Sequence, residues 1–339
     1  MNELVVISGK GGTGKTSVVA AFAALAGDAV LADCDVDAAD LHLVLSPQVK
    51  RREVFRSGHV AVIRQADCTG CGQCLTLCRF GAVIQVPRMA EAPQAPGARA
   101  ACDDCDFCER SCSVRLGALT EEVGQAGVRL RDVVFAVDPV VCEGCGVCVR
   151  FCPAQAIDFP ERVCGEWFVS ETRFGPMVHA RLGIAAENSG KLVATVRREA
   201  QRLATAGRRA WILVDGPPGL GCPVIASLTG ASMVLVVTEP TLSGKHDLER
   251  VLSLTRHFDI PTLVCVNKWD INPALTEAIE RQAVAAGARV AGRIRYDRAV
   301  TAAQLGAQTV TEYGGPAADD IRALWNIVKE KMQHAGLIA

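Results

Sequence analysis

Three times the sequence spells C-x2-C-x2-C-x3-C: at Cys68, Cys71, Cys74 and Cys78; at Cys102, Cys105, Cys108 and Cys112; and at Cys142, Cys145, Cys148 and Cys152. Thiolates this closely spaced can wrap three irons of a cubane, with the fourth cysteine closing the same cluster or reaching a neighbour's. Zinc usually draws instead on two C-x2-C pairs separated by a longer spacer. The first and third motifs therefore point to two [4Fe–4S] clusters. The middle motif lacks the glycines of the others and the proline that follows the third, and it is flanked by Asp103, Asp104 and Asp106. Its first reading is a third [4Fe–4S] cluster on its own four cysteines, with zinc or no metal as alternatives.

A second constellation opens the chain. Gly9-Lys10-Gly11-Gly12-Thr13-Gly14-Lys15-Thr16 satisfies the phosphate-loop pattern, and Ser17 carries it into a helical run. The glycines let backbone N–H groups converge on phosphate oxygens at a helix N-terminus. Lys15 adds a cation near the β- and γ-phosphates, and the Thr16 hydroxyl suits Mg2+. A carboxylate must complete the metal site. Asp215, at the end of WILVDG and before Pro217-Pro218-Gly219, stands where a metal-side Asp is expected, and is assigned to the Mg2+ shell or to sensing the γ-phosphate. Asp35, just past the second strand, is assigned to the attacking water. Asp37 and Asp40 read equally well as solvated carboxylates.

Elements must hold these groups in place. ELVVIS at 3–8 reads as a buried strand, SVVAAFAALAG as the helix after the phosphate loop, and DAVLADCDVDAADL as a second strand ending in carboxylates. The rhythm breaks into cysteine-rich, turn-rich sequence from about 60 to 165, including a Pro/Ala/Gly stretch, MAEAPQAPGARA, that reads as a connector. It resumes with a helix at SGKLVATVRREAQRLATAG, strands at WILVDG and SMVLVVT, a helix at HDLERVLSLTRHF and a strand at PTLVCVN. The prediction is an α/β fold, a doubly wound and mostly parallel sheet, split as 1–59 and 166–339 around an insert at 60–165. Ile321, Leu324, Trp325, Val328 and Met332 share one face of a final helix. Its mixed-charge opposite face favours packing on the sheet over lying on a membrane.

Composition limits the partners. With 36 Lys+Arg against 37 Asp+Glu, the net charge of -1 leaves no basic footprint for a nucleic acid. The opening MNELVVISGK has no basic region leading into an apolar one, and no apolar run approaches about 18 residues, so a cytoplasmic protein without a stable membrane anchor is expected. Disulfides are disfavoured in a reducing cytoplasm, yet 13 of the 16 cysteines fall between Cys68 and Cys164. That crowding again calls for metal.

Lys10 within KGGTGKT resembles the deviant Walker motif of the MinD/ParA/nitrogenase-iron-protein superfamily, where the extra lysine reaches across a nucleotide-sandwiched homodimer to the partner's phosphates. DCDVDAADL, VDGPPGLG and Asn267-Lys268-Trp269-Asp270 are similar to that superfamily's first switch, second switch and base-side motif. The resemblance implies an ATPase with Lys10 in its catalytic set and Asn267 and Asp270 near the base, although the latter motif also resembles that of guanine-binding proteins. Cys142 to Pro153 looks like half of a bacterial two-cluster ferredoxin, and CTGCGQCLTLCRFGAV resembles its partner. By that likeness Cys68, Cys71 and Cys74 share a cluster with Cys152, while Cys142, Cys145 and Cys148 share the other with Cys78. Together the halves resemble MinD-superfamily (Mrp-related) P-loop ATPases with an inserted ferredoxin domain. Cys222 lies at a spacing similar to a cluster ligand of the nitrogenase iron protein, but Ser189 stands where the second ligand is expected. Cys222, like Cys34, Cys164 and Cys265, reads as a small buried thiol.

The expected function is ATP–Mg2+ binding and hydrolysis coupled to electron transfer through [4Fe–4S] clusters, in a homodimer with nucleotide at its interface and an unidentified redox partner protein. The alternatives are an Mrp-like cluster carrier, and a MinD/ParA-like positioning ATPase.

Overall fold

The computed structural model describes residues 2–87, 133–183 and 189–334, so the middle cysteine motif at 102–112 lies outside the described residues. The chain divides into two compact units, residues 1–57 with 163–339, and residues 58–162. The first unit begins with β1 (Asn2–Ser8), α1 (Lys15–Ala26), β2 (Ala29–Asp33), α2 (Leu41–Leu45) and β3 (Gln48–His59). The second holds β4 (Val62–Ile63), α3 (Gln73–Leu77), β5 (Val83–Pro87), β6 (Val133–Val137), α4 (Val147–Arg150) and β7 (Ile157–Asp158). The chain returns along β8 (Glu161–Thr172) and β9 (Gly175–Leu182), followed by α5 (Ser189–Ala206), β10 (Trp211–Pro218), α6 (Cys222–Leu228) and β11 (Met233–Thr238). It ends with α7 (Leu242–His257), β12 (Thr262–Asn267), α8 (Pro273–Ala285), β13 (Arg289–Ile294), α9 (Arg298–Leu305), α10 (Val310–Tyr313) and α11 (Pro316–His334).

The sheet of the first unit has nine strands in the order β13-β12-β11-β1-β10-β2-β9-β8-β3. From β13 to β9 every pairing is parallel, and β8 returns antiparallel to β9. Every residue of β1 and β2 is buried, as a parallel sheet covered on both faces requires. Alternation along β1 divides the core: Leu4 and Val6 pack with Phe22 of α1 and Trp325 of α11, while Val5 and Ile7 pack with Leu192 and Val196 of α5. Trp325 lies 4.8 Å from the ring of Phe22 and 4.9 Å from that of Trp211. Ile321, Leu324, Val328 and Met332 are buried beside it, so the apolar face of α11 is spent on the core. The crossover from β1 runs one way, to β2, and that from its neighbour β11 runs the other way, to β12, which opens a crevice at their carboxyl ends where α/β sheets bind ligands.

The second unit is built from two like halves, each a strand, a cysteine loop, a short helix and a strand. Its strand pairs are β4 with β7 and β5 with β6, both antiparallel. Gly70 and Gly72 in one loop have φ of 69° and 73°, and Gly144 and Gly146 in the other have φ of 63° and 72°. Each C-x-G-C-G thus turns through two left-handed residues, a conformation glycine adopts freely. Among the described residues, no helix is long and apolar enough to cross a membrane.

Candidate functional site

β1 delivers the chain into the phosphate loop at Ser8, and α1 begins at Lys15. Gly14, with φ of 89°, caps the helix, and a β-carbon there would lie 2.3 Å from Asn267 Nδ2. That amide donates to Thr13 O at 2.8 Å, and Lys268 Nζ reaches Gly12 O at 3.4 Å. The end of β12 therefore ties down two of the loop's carbonyls. The crevice has a volume of about 710 Å³ and is lined by the loop from Gly11 to Ser17 and by Asp35 and Asp40. Its outer walls are Leu43 and Val44 of α2, and Tyr296, Val300, Gln304 and Leu305 at β13 and α9.

Lys15 is buried and donates to Asp215 Oδ1 at 2.6 Å, with Asp35 Oδ2 at 3.5 Å. Burial works against its charge, but Asp215 overrides that, and the ammonium titrates above its ordinary range. Asp33, fully buried, is Asp215's register partner on the next strand. Burial and then the nearby Asp215 push the Asp33 carboxyl well above the usual carboxylate range. Its oxygens accept from Asp35 N at 3.2 Å and Leu41 N at 3.3 Å, which fixes the loop carrying Asp35. Asp35 is also raised, by burial that Lys15 only partly offsets. Asp215 does not itself line the crevice, yet its Oδ2 is buried with no hydrogen-bond partner, as is Thr13 Oγ1. An orphan carboxylate oxygen behind Lys15 and Thr16 fits the shell of a hydrated Mg2+.

Lys10 turns away from the crevice and pairs within its own chain. Its Nζ lies 2.5 Å from Glu239 Oε1 and 3.2 Å from both Thr241 Oγ1 and Ser243 Oγ. Lys268 reaches the other Glu239 oxygen at 3.3 Å. Burial would raise the Glu239 carboxyl, but the two lysines outweigh it and hold it below the usual range. Asp270 stands off the crevice wall, and its Oδ1 accepts from Tyr296 N at 2.7 Å. It thereby positions the Tyr296 turn. Ser17 Oγ accepts from Gln304 Nε2 at 2.8 Å. Sequence reasoning missed Asp33, Glu239 and the Tyr296–Leu305 wall. Asp33 had a signal, an acid inside an apolar strand beside the named Asp35.

In the second unit the cysteines surround two separate cavities. Cys68, Cys71 and Cys74 line one together with Cys152. Cys142, Cys145 and Cys148 line the other together with Cys78. Phe135, Ile157 and Pro153 wall the first, and Phe80, Val137 and Phe159 the second. Cys152 Sγ accepts from Ala156 N at 3.4 Å. Burial would raise the Cys78 thiol, but backbone N–H groups, Val83 foremost, hold it below its ordinary value. Among the described residues no group of three or more His, Cys, Asp or Glu side chains is arranged to hold a single metal ion. The buried-thiol reading fits Cys34, Cys164 and Cys265 but not Cys222, which is exposed at the start of α6.

The CobQ/CobB/MinD/ParA nucleotide binding domain matches residues 4–310. The chain is 26% identical over 279 residues to an uncharacterized protein of Methanocaldococcus jannaschii, covering 80% of this chain and 79% of that one. A second uncharacterized protein of that organism is 24% identical over 140 residues, covering 41% and 49%. Among solved structures, the chain is similar to the septum site-determining protein MinD complexed with Mg-ADP from Pyrococcus horikoshii, with TM-score 0.52, 15% identity and 98% of each chain covered. It is also similar to the MinC:MinD cell division protein complex of Aquifex aeolicus, with TM-score 0.51, 14% identity and 97% and 96% covered. At such identities the likeness is one of fold.

Proposed function

The chain belongs to the CobQ/CobB/MinD/ParA nucleotide-binding family, and we propose that it is an ATP-hydrolysing iron–sulfur protein whose nucleotide cycle is coupled to electron transfer. The observation that carries the iron–sulfur part is the crossed arrangement of thiols. Three cysteines of each motif ring a cavity closed by the last cysteine of the other. Two cavities of this kind suit two [4Fe–4S] clusters, whereas a lone zinc ion needs its four thiolates drawn to one point. Bound clusters supply one-electron transfer.

In the nucleotide crevice, the loop's N–H groups and Lys15 would receive the phosphates, and Thr16 with the orphan oxygen of Asp215 would hold hydrated Mg2+. Asp35, on the crevice wall and near Lys15, would orient the attacking water. Tyr296, Val300 and Leu305 offer an apolar surface for the base, with Asn267 and Asp270 acting by fixing the loops around it. A homodimer is proposed from Lys10, whose partner Glu239 would have to release it before it could reach another chain's phosphates. The redox partner is a protein that exchanges single electrons.

A MinD/ParA-like positioning ATPase is the second reading, favoured by the fold neighbours. It requires a surface for a membrane or a nucleic acid, and the apolar face of α11, the sequence's best candidate, is buried in the core. Carriage of clusters to other proteins is the third, and is tested by incubating the loaded chain with an apo-acceptor and following iron. The proposed coupling is tested by measuring cluster midpoint potentials in the anaerobically purified chain without nucleotide, with ADP and with ATP. Potentials that differ between the states are expected, and identical values would refute the coupling.

A further inference from the structure

The short helix α2 lines the nucleotide crevice through Leu43 and Val44, leads in sequence into β3, and has its last carbonyls held by Arg173, which follows β8. Its N-terminal Leu41 N is held by Asp33 Oδ2, and Leu43 and Val44 form part of the crevice wall. At its far end the chain enters β3 three residues on, at Gln48, and passes out of the first unit after Ser57. It re-enters at Val163 on β8, whose last residue, Thr172, precedes Arg173 in the turn to β9.

Arg173 joins these pieces. Its Nη1 donates to Val44 O and Leu45 O, both at 3.2 Å, which satisfies the terminal carbonyls of α2. Its Nε and Nη2 grip Glu312 of α10 at 2.8 Å each, and Nη2 also reaches Ala307 O at 3.1 Å. The guanidinium lies over the Phe174 ring at 4.7 Å. Glu312 is itself fixed, accepting from Thr309 N at 2.7 Å in a capping box. Ala307 closely follows α9, whose Gln304 and Leu305 form the opposite crevice wall. One rigid fork of donors is thus shared between α2, whose Val44 lines the crevice, and the Ala307–Glu312 segment that follows α9.

We propose that Arg173 is a positioning residue that transmits the nucleotide state of the crevice from α2 to β8, and so along the chain to the cysteine unit. A planar guanidinium cannot follow two walls that move apart. A nucleotide that shifts α2 against α9 therefore changes which acceptors Arg173 keeps, and the β8–β9 turn must respond. The inference rests on the proposed binding of ATP in this crevice.

Hydrogen–deuterium exchange of the full chain, with and without Mg2+ and a non-hydrolysable ATP analogue, tests it, and analogue affinity is measured in the same samples. In the wild type, nucleotide should slow exchange at 41–45 and also change it at 161–172. In Arg173→Met the response at 41–45 should persist and that at 161–172 should vanish, with affinity altered by less than about threefold. Arg173→Lys should not restore the response, because one ammonium cannot replace the fork. Glu312→Gln keeps the carbonyl bonds and guards against misfolding of the Met variant; it should weaken the response at 161–172. A full response at 161–172 in both Arg173→Met and Glu312→Gln, or no response there in a wild type that binds the analogue, would overturn the inference. A wild type that binds no analogue would instead overturn the nucleotide reading, and this inference with it.

Discussion

Lys15 should hold the nucleotide-free site together as well as bind phosphate. Its ammonium is the cation between Asp215, buried at 2.6 Å, and Asp35 at 3.5 Å, with buried Asp33 alongside Asp215 in register. Lys15→Met keeps the unbranched stem and deletes the charge, so Asp215 is left buried and unpaired. Breaking a buried pair in this way costs about 3–5 kcal/mol. A domain of this size shifts by roughly 2–4 °C per kcal/mol, so the unfolding midpoint should fall by roughly 6–20 °C. All four tryptophans, Trp167, Trp211, Trp269 and Trp325, lie outside 58–162, so their fluorescence reports unfolding of the nucleotide unit alone. Adding Asp215→Asn to Lys15→Met should recover about 1–3 kcal/mol by removing the stranded charge. The penalty should also shrink as pH falls. Burial already raises the Asp33 and Asp35 carboxyls, and a group raised in the folded state adds stability when protonated and loses it as pH rises. A Lys15→Met chain destabilised by less than about 1 kcal/mol, or a double variant no more stable than it, would refute this account of the site.

Cysteine pairing gives a second prediction. Cys68→Ser with Cys152→Ser should cost about four irons per chain, whereas Cys68→Ser with Cys78→Ser, in one motif but two cavities, should cost about eight; the reverse order would show that each motif binds its own cluster. Asn267→Ala removes the bond to Thr13 O and should weaken nucleotide binding by about 0.5–1.5 kcal/mol in a titration, without unfolding the chain. Arg173 first, and the Thr309 backbone after it, hold the Glu312 carboxyl down to about 2 from 4.5, so its contribution is present above about pH 4.5 and is lost as pH falls toward 2. Glu312→Gln should therefore flatten the acid limb of tryptophan-monitored stability against pH.

The strands and helices whose periodicity was strong were legible to within a few residues. WILVDG and SMVLVVT are β10 and β11, and the helix read from Ser17 begins at Lys15 because the phosphate loop's last residues already turn helically. The predicted apolar stripe of the final helix is buried. The long antiparallel pair β8–β9 was not legible as strands, because its register places polar and charged residues such as Glu166 and Arg181 opposite one another rather than in an apolar run. The phosphate loop and the cysteines announced themselves by type and spacing. The roles of Asp33, Glu239 and Arg173 did not, because each depends on a partner distant in sequence: Asp215, Lys10 and Glu312. Asn267 and Asp270 were both expected near the base; Asn267 lines the crevice and Asp270 stands off it, and the atoms they bind, Thr13 O and Tyr296 N, are fixed only by how β12 and β13 end beside the loop.

The central claim is that one polypeptide joins a phosphate-loop ATPase to thiolate-held iron–sulfur clusters. Its most direct test is the iron and acid-labile sulfide content of the anaerobically purified full chain, read with the low-temperature EPR spectrum after reduction. The account predicts about eight irons and matching sulfide from the two described cavities, about twelve if the middle motif binds a third cubane, and signals of coupled [4Fe–4S] clusters. A folded, colourless chain free of iron that still hydrolyses ATP would contradict it.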